Sequence, residues 1–267
     1  MLIVGVALAT APSGDQGHLA AVALVGAAAG LAATSVGVYG GVLVPGLLVL
    51  GVPAGVAAVL SLTIQPLVIP LGAASHAAVG HVRRSITVPL VVGGVVGSVT
   101  GAGFATVLPA DLVTRAVALA IVIVGVVVLL SLRISGSRTT VSDPPASRIG
   151  SIGLVAGFSS GVSGAGWGPI GVKLLILSRI EPRIAIGSSL VGRIPIALAA
   201  VLTYAITSIG GDRFSIDLRM LATLVASSGG AMLPGTLIVG RVDRAKLSAG
   251  IAVLSIALAL PSVFGAG

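Results

Sequence analysis

One uncharged stretch sets the strongest limit on how this chain can fold. From Leu19 to Ser75 the sequence contains no Asp, Glu, Lys or Arg, and this is more than twice the ~20 residues that one transmembrane helix needs. A soluble domain cannot bury so much apolar chain, because it has to present polar side chains to water. The stretch therefore predicts at least two membrane-embedded helices.

The composition extends this prediction to the whole chain. Hydrophobic residues make up 56% of the sequence, charged residues make up 8%, and the mean hydropathy is +1.19. The net charge of +8 would favour nucleic-acid binding in a soluble protein, but the Lys and Arg residues lie mainly in gaps between apolar runs, where they set topology. We expect an all-α, multi-pass protein of the cell membrane, with the lipid bilayer as partner and no nucleic acid.

The polar residues exclude several kinds of chemistry. The chain has no cysteine, and its three histidines and seven carboxylates show no metal-ligand spacing. The sequence also lacks a P-loop and a dinucleotide fingerprint. We therefore expect no metal, no cofactor and no ATP-driven step.

Charged residues and Pro/Gly clusters divide the chain into apolar segments. These lie near 19–50, 52–77, 86–108, 112–132, 149–178, 184–209, 218–240 and 246–264. The longest hydrophilic connection, residues 133–148, is rich in Ser, Thr and Pro, which favours an exposed linker. We expect a first transmembrane repeat over residues 1–132, a cytoplasmic linker over 133–148 and a second transmembrane repeat over 149–267. A homodimer is compatible with this organisation.

The two halves match each other at one constant offset. The matching pairs are Pro53 with Pro182, Pro66 with Pro195, Ser98 with Ser227, Gly101 with Gly230, and Arg115 with Arg244. With a small gap, Gly26 and Gly30 then align with Gly157 and Gly161. Self-similarity at a fixed offset predicts an internal duplication.

Each half begins with a segment that glycine and proline interrupt. In the second half this is the stretch from Gly157 to Lys173, GFSSGVSGAGWGPIGVK, and its counterpart runs from Gly37 to Pro45, GVYGGVLVP. Each glycine in a helix costs up to about 1 kcal/mol relative to alanine, and proline removes a backbone donor. Opened backbone at membrane depth survives only where protein or a water-filled cavity satisfies it. Both stretches are therefore candidate binding sites.

Two shapes fit the broken segments, a kinked span or a re-entrant hairpin, and the loop charges favour the hairpin. With hairpins, one face collects Arg83, Arg84, Arg133, Arg138, Arg148, Arg179, Arg183, Arg241, Arg244 and Lys246, and the other keeps Arg115, Arg213 and Arg219. With full spans the basic residues divide almost evenly, which gives no orientation. Hairpins leave three full crossings in each half, so the repeats would be inverted, with their broken helices meeting near the midplane.

Two basic residues lie inside apolar segments, Lys173 and Arg193. A charge at the bilayer centre costs at least ~2.5–3.5 kcal/mol on insertion scales, so it is expected to face a cavity, a partner or the interface. We expect Arg193 to attract an anion. Lys173 is a candidate pathway charge, and the alternative is that its long stem reaches the headgroups.

The predicted substrate site combines Arg193 with the two breaks and with nearby polar side chains. Its other members are Gly37, Tyr39, Gly40, Gly41, Ser61, Gln65, Ser163, Gly164, Gly166, Trp167, Gly168, Ser188 and Ser189. Backbone N–H groups at the N-termini of the returning helices would suit an oxyanion. The alternative for the glycines is close helix packing, which we favour for Gly26, Gly30, Gly157 and Gly161.

An enzymatic alternative rests on Ser163. Gly161 to Gly164 has the GxSG spelling of rhomboid-type intramembrane serine proteases. Such a serine needs a basic partner, and His18, His76 and His81 all precede it, whereas the histidine of that family lies on a later helix. We therefore expect no enzyme.

Both broken segments resemble a known family. The first, GVYGGVLVPGLLVLGVP followed by AAVLSL, resembles one signature of the TauE/SafE (sulfite exporter) membrane proteins. The second, GFSSGVSGAGWGPIGVKLLIL with EPRIAIGSSL, resembles that family's second copy. The family's motif positions fall on Gly37, Gly40, Gly41, Pro45, Gly164, Gly166, Trp167, Gly168 and Pro169. Tyr39 departs from the pattern, because many relatives have glycine there.

The resemblance implies a function as well as a fold. It implies a plasma-membrane permease that moves small sulfur-containing anions, such as sulfite or sulfonates, in the export direction. Uptake of a different small anion or solute by the same fold is the alternative within transport.

Overall fold

The protein is built from helices that match the apolar segments of the sequence. The computed structural model describes residues 16–134, 144–207, 216–238 and 244–264; most of the linker predicted over 133–148 lies outside them. The helices are α1 Gln16–Val36, α2 Gly40–Val49, α3 Ala54–Ala78, α4 Arg84–Val107, α5 Ala110–Ile134, α6 Ala146–Ser163, a π-helical segment Trp167–Val172 continued by α7 Lys173–Leu177, α8 Pro182–Thr207, α9 Leu218–Ile238 and α10 Arg244–Val263.

Several of these helices are long and apolar enough to cross a membrane. Within the described residues they are five: Gln16–Thr34, Ala54–Ala78, Arg84–Val107, Asp111–Leu130 and Pro182–Thr207. Many of their large apolar side chains are exposed, for example Leu24 at 72% and Val92 at 62%, which suits contact with lipid tails rather than water. The prediction of a polytopic helical membrane protein is confirmed.

Both broken segments fold back on themselves as hairpins. In the first hairpin, Gly46 on α2 packs directly against Val25 on α1, and in the second, Gly171 packs against Ala156 on α6. The breaks lie where the sequence places them, at Gly37 and Gly164. The outgoing arms α1 and α6 have 21 and 18 residues, and the returning arm α2 has 10. The two arms of the first hairpin therefore differ in length.

The hairpins open toward opposite ends of the bundle. At one end, the start of α1 at His18 lies with Leu50 and Asp217 around a shared vestibule. At the other end, the Arg83 N–H donates to the Ser188 hydroxyl at 3.0 Å, and Gly187 packs against the His81 carbonyl. Because α3 connects the first end to the second, α1 and α6 run in opposite directions.

Small residues set the closest helix contacts. On α6, Gly157 packs against the Gly94 backbone and Gly161 against the Ser98 backbone, and on α1, Gly30 packs against Ser228. Removing the side chain lets helix backbones touch, which is how small residues hold membrane helices together. The packing predicted for Gly26, Gly30, Gly157 and Gly161 is confirmed.

We expect Gly101→Ala to destabilise the protein by about 1–3 kcal/mol, because a methyl group there would overlap the Phe158 carbonyl on α6. The matched control is Gly103→Ala on the same helix, whose added methyl meets nothing within 4 Å. Thermal unfolding midpoints of the two variants in detergent measure the difference. Equal midpoints would mean that α4 and α6 are not in backbone contact at this position.

Candidate functional site

The two hairpin tips dock directly on each other. A methyl group on Gly40, at the start of α2, would overlap the Gly164 carbonyl oxygen, and one on Gly168 would overlap the Gly37 carbonyl oxygen. Gly37 and Gly164 turn the chain with positive φ angles of 78° and 66°, which side chains rarely adopt. The glycines of the two breaks therefore bring the tips into backbone contact.

This docking pairs helix ends of opposite polarity. The first N–H groups of a helix carry about half a positive elementary charge, and the last C=O groups about half a negative one. The start of α2 lies against the end of α6 at Gly164, and the start of the π-helical segment lies against the Gly37 carbonyl that follows α1. Each positive end predicted to attract an oxyanion therefore has a carbonyl oxygen of the other hairpin close by.

A buried polar chain runs beside the tips. The Ser61 hydroxyl donates to the Gly164 carbonyl at 2.8 Å, and the Gln65 amide N–H lies 3.2 Å from the Ser61 oxygen and 3.4 Å from that carbonyl. Arg193 donates from Nε to Gln65 Oε1 at 2.8 Å. Gln65 and Arg193 each lie near the middle of their helix. These polar side chains therefore lie near half the membrane depth.

Arg193 is the unusual member of this chain. Its side chain is 1% exposed, and its Nη2 atom has no hydrogen-bond partner among the described residues. A buried cation with an unused donor is costly, because the group has lost water without a full replacement. The guanidinium therefore has its Nη2 group available for an acceptor that the described residues do not supply.

Tyr39 extends the same region from the first hairpin tip. Its hydroxyl lies 3.0 Å from the Ser228 hydroxyl on α9, and both residues are fully buried. The next residue, Gly40, packs against the Gly164 carbonyl, which brings Tyr39 close to the polar chain. Sequence reasoning missed Ser228, although Ser227 beside it is the repeat partner of Ser98 and would have pointed there.

Other predicted site residues bond elsewhere. The Ser163 hydroxyl donates to the Ser159 carbonyl at 2.7 Å and accepts from the Ala165 N–H. The Trp167 Nε1–H donates to the Ser189 hydroxyl at 2.9 Å, while Ser188 accepts from Arg83. Lys173 is half-buried at the start of α7. The structure therefore joins Tyr39, Ser61, Gln65, Gly164 and Arg193 in one region. The Ser163 hydroxyl supports the backbone of the second tip, whereas Ser188 and Ser189 bond Arg83 and Trp167.

Two cavities flank this region. A vestibule of about 500 Å³ opens at the end of the bundle that holds His18, Pro53 and Asp217. A cavity of about 20 Å³, roughly the room that one water needs, lies between Thr34, His76 and their neighbours. Arg193 lines neither cavity.

The comparison with known proteins identifies the family. The family model described as "Sulfite exporter TauE/SafE" matches residues 22–261, which includes both hairpins and the helices that follow them. The chain belongs to the TauE/SafE family. By that membership and by its apolar helices it is a multi-pass member of a family of membrane transporters.

One curated relative matches part of this TauE/SafE protein. It is the "Probable membrane transporter protein YtnM" of Bacillus subtilis (strain 168), 28% identical over 137 residues, which cover 50% of this chain and 46% of the relative. The match thus spans about half the length of that protein. No solved structure matches the chain.

Family membership and geometry both bear on the protease alternative. The family and the curated relative are membrane transporters rather than enzymes. A serine nucleophile needs a hydrogen-bonded base, whereas the Ser163 hydroxyl of this TauE/SafE protein donates to a main-chain carbonyl. The expectation that the chain is not an enzyme is confirmed by the family.

Proposed function

We propose that the protein is a permease that exports small sulfur-containing oxyanions, such as sulfite or a sulfonate, across the cell membrane. The family description supports both the substrate class and the direction. The single observation that carries the proposal is the unsatisfied Nη2 donor of the buried Arg193 near half the membrane depth. Guanidinium groups bind oxyanions through short charge-assisted hydrogen bonds.

The proposed binding site lies where the two hairpin tips meet the middle of α3 and α8. Arg193 supplies the charge, Gln65 holds the guanidinium from Nε, and the Tyr39 hydroxyl is a further candidate donor. Displacing the Gln65 contact or the Tyr39–Ser228 contact would free further donors for the anion. An intramembrane arginine that faces the bundle interior is a functional-site candidate by default.

We further propose that the halves are inverted repeats that alternate access to this site. The opposite directions of α1 and α6, and the equivalent packing of Gly30 on Ser228 and Gly161 on Ser98, support this arrangement. Inverted repeats with broken helices at the midplane commonly work by rocking one repeat against the other. Since Arg193 is 1% exposed, such a movement would be needed to load and release the anion.

The orientation can be tested by labelling. The chain has no native cysteine, so single cysteines can be introduced without a background. We expect cysteines at Arg84 and Arg183 to react with an impermeant maleimide from the cytoplasmic side, and a cysteine at Arg219 to react from the outside, because basic residues favour cytoplasmic ends. Labelling of Arg84→Cys and Arg183→Cys from opposite sides would contradict the hairpin topology.

The function is tested by flux. Purified protein is reconstituted into liposomes, and labelled sulfite, sulfate, taurine and an uncharged solute of similar size are followed with and without a proton gradient. We expect saturable, anion-selective flux. Equal rates for the uncharged solute, or no flux above protein-free liposomes, would overturn the proposed function.

A further inference from the structure

The charge around Arg193 limits the charge of what can bind there. Among the described residues, Arg193 is the buried side chain that carries a charge, and the other buried polar groups belong to Ser, Thr, Gln, Tyr and Trp. The described carboxylates, Asp111, Glu181 and Asp217, lie at the starts of helices and are not buried. The site region therefore holds one positive charge and no described counter-charge.

The hairpin tips add little to this charge. Each tip could have contributed about half a positive charge from the start of its returning helix. The Gly164 carbonyl lies against the start of α2, however, and the Gly37 carbonyl lies against the start of the π-helical segment. A carbonyl oxygen close to each positive end weakens the field that the end presents to an anion.

We infer that the Arg193 site selects singly charged anions over doubly charged ones, an inference that rests on the proposed function. A monoanion and the guanidinium form a neutral pair, whereas a dianion leaves one net negative charge at membrane depth. Uncompensated charge in a low-dielectric interior is strongly unfavourable. The substrate class is therefore the monoanion of a tetrahedral or pyramidal oxyacid, such as a sulfonate or bisulfite, rather than a dianion such as sulfate.

Lys173 is the described basic residue that could change the number of positive charges at the site. It lies half-buried at the start of α7, four residues before the end of that helix at Leu177, from where a long lysine stem can reach the headgroups. If Lys173 instead faced the anion, the site would hold two positive charges and would accept a dianion. The experiment therefore includes a Lys173 variant.

Three solutes of nearly equal shape isolate the effect of charge. Dimethyl sulfone, methanesulfonate and sulfate each carry four groups around one sulfur, and their charges are zero, minus one and minus two. Binding of each to the purified full-length protein is measured by isothermal titration in detergent. We expect methanesulfonate to bind at least about tenfold more tightly than either of the others, which corresponds to about 1.4 kcal/mol.

The variants show which charge sets the preference. Arg193→Gln should abolish the preference for methanesulfonate over dimethyl sulfone. Arg193→Lys should still prefer methanesulfonate, and Lys173→Gln should leave the preference unchanged. Size-exclusion profiles confirm that each variant is folded, and the comparison of the three solutes on the unmodified protein needs no variant. Loss of the preference in Lys173→Gln would assign the charge to Lys173 and overturn the inference.

The outcomes separate the inference from the proposed function. Sulfate binding as tightly as methanesulfonate, with both lost in Arg193→Gln, would overturn the monoanion preference while leaving an anion site at Arg193. No Arg193-dependent binding of either anion would overturn the proposed site and the inference together. Tight, Arg193-dependent binding of methanesulfonate alone supports both the proposed site and the monoanion preference.

Discussion

Replacing Gly164 by alanine is expected to lower the unfolding free energy by about 2–5 kcal/mol, for two reasons that add. Gly164 has a φ of +66°, which is unfavourable for any residue with a Cβ atom. The added methyl would also lie 2.6 Å from the Ala58 carbonyl oxygen and 2.8 Å from its Cα, and the helix backbone of α3 cannot easily move away. Denaturant titration or thermal unfolding in detergent measures the loss.

Gly80→Ala provides the matched control for Gly164→Ala. Gly80 has a similar φ of +73°, but a methyl group there meets nothing within 4 Å. This variant should show the conformational cost alone, about 1–2 kcal/mol. If Gly164→Ala were no more destabilising than Gly80→Ala, the tip of the second hairpin would not be packed against α3. The proposed site, which depends on this packing, would then be wrong.

Replacing Arg193 by methionine is expected to reduce anion flux at least about 100-fold while leaving the protein as stable as before or more stable. The flux should fall because the anion loses its only described buried positive charge. The fold should tolerate the change because methionine is similar in length and removes a buried cation with an unsatisfied Nη2. This gain offsets the cost, about 1–3 kcal/mol, of leaving Gln65 Oε1 without its donor. Flux in liposomes and unfolding midpoints in detergent are measured on the same preparations.

Arg183→Met is the control for the Arg193 experiment. Arg183 lies on the same helix, α8, but its side chain is exposed at the basic end of the bundle. We expect normal flux and nearly unchanged stability, since exposed surface substitutions usually change stability by less than ~0.5 kcal/mol. Normal flux in Arg193→Met would contradict the proposed site. A loss of stability large enough to explain the loss of flux in Arg193→Met would assign Arg193 a structural role instead.

The hairpins illustrate what the sequence can predict. Gly37 and Gly164 interrupt runs that are too long for one crossing, and the excess of basic residues at one face favours a chain that turns back. Both signals are local, and the structure places helix breaks at these residues. The unequal lengths of the hairpin arms were not predictable, because they depend on α1 and α6 packing along α9 and α4.

The site shows where sequence reasoning stops. Arg193 and Gln65 stand out because polar side chains inside apolar segments need a reason to be there, and the structure joins them by a hydrogen bond. The sequence contains no such signal for the group to which a serine hydroxyl bonds. Ser163 turns to its own helix and Ser61 turns to the Gly164 carbonyl, a choice that depends on which backbone groups the tertiary fold leaves open.

The helix ends at the tips show a contact that the sequence could not give. From sequence alone, the starts of the returning helices look like donors for an oxyanion, because glycine-rich breaks leave N–H groups free. The three-dimensional crossing brings the Gly164 and Gly37 carbonyls close to those starts. Arg193 is therefore a stronger candidate than the helix dipoles for attracting an anion.

The most direct test of the account is to locate a bound anion at the crossing of the two hairpins. Selenite is a heavier analogue of sulfite, and selenium can be located by its anomalous scattering in crystals of the protein. We predict one selenium position next to Arg193 Nη2, between that atom and the Tyr39 hydroxyl. Selenium bound only in the vestibule near His18 and Asp217, with nothing beside Arg193, would contradict the account.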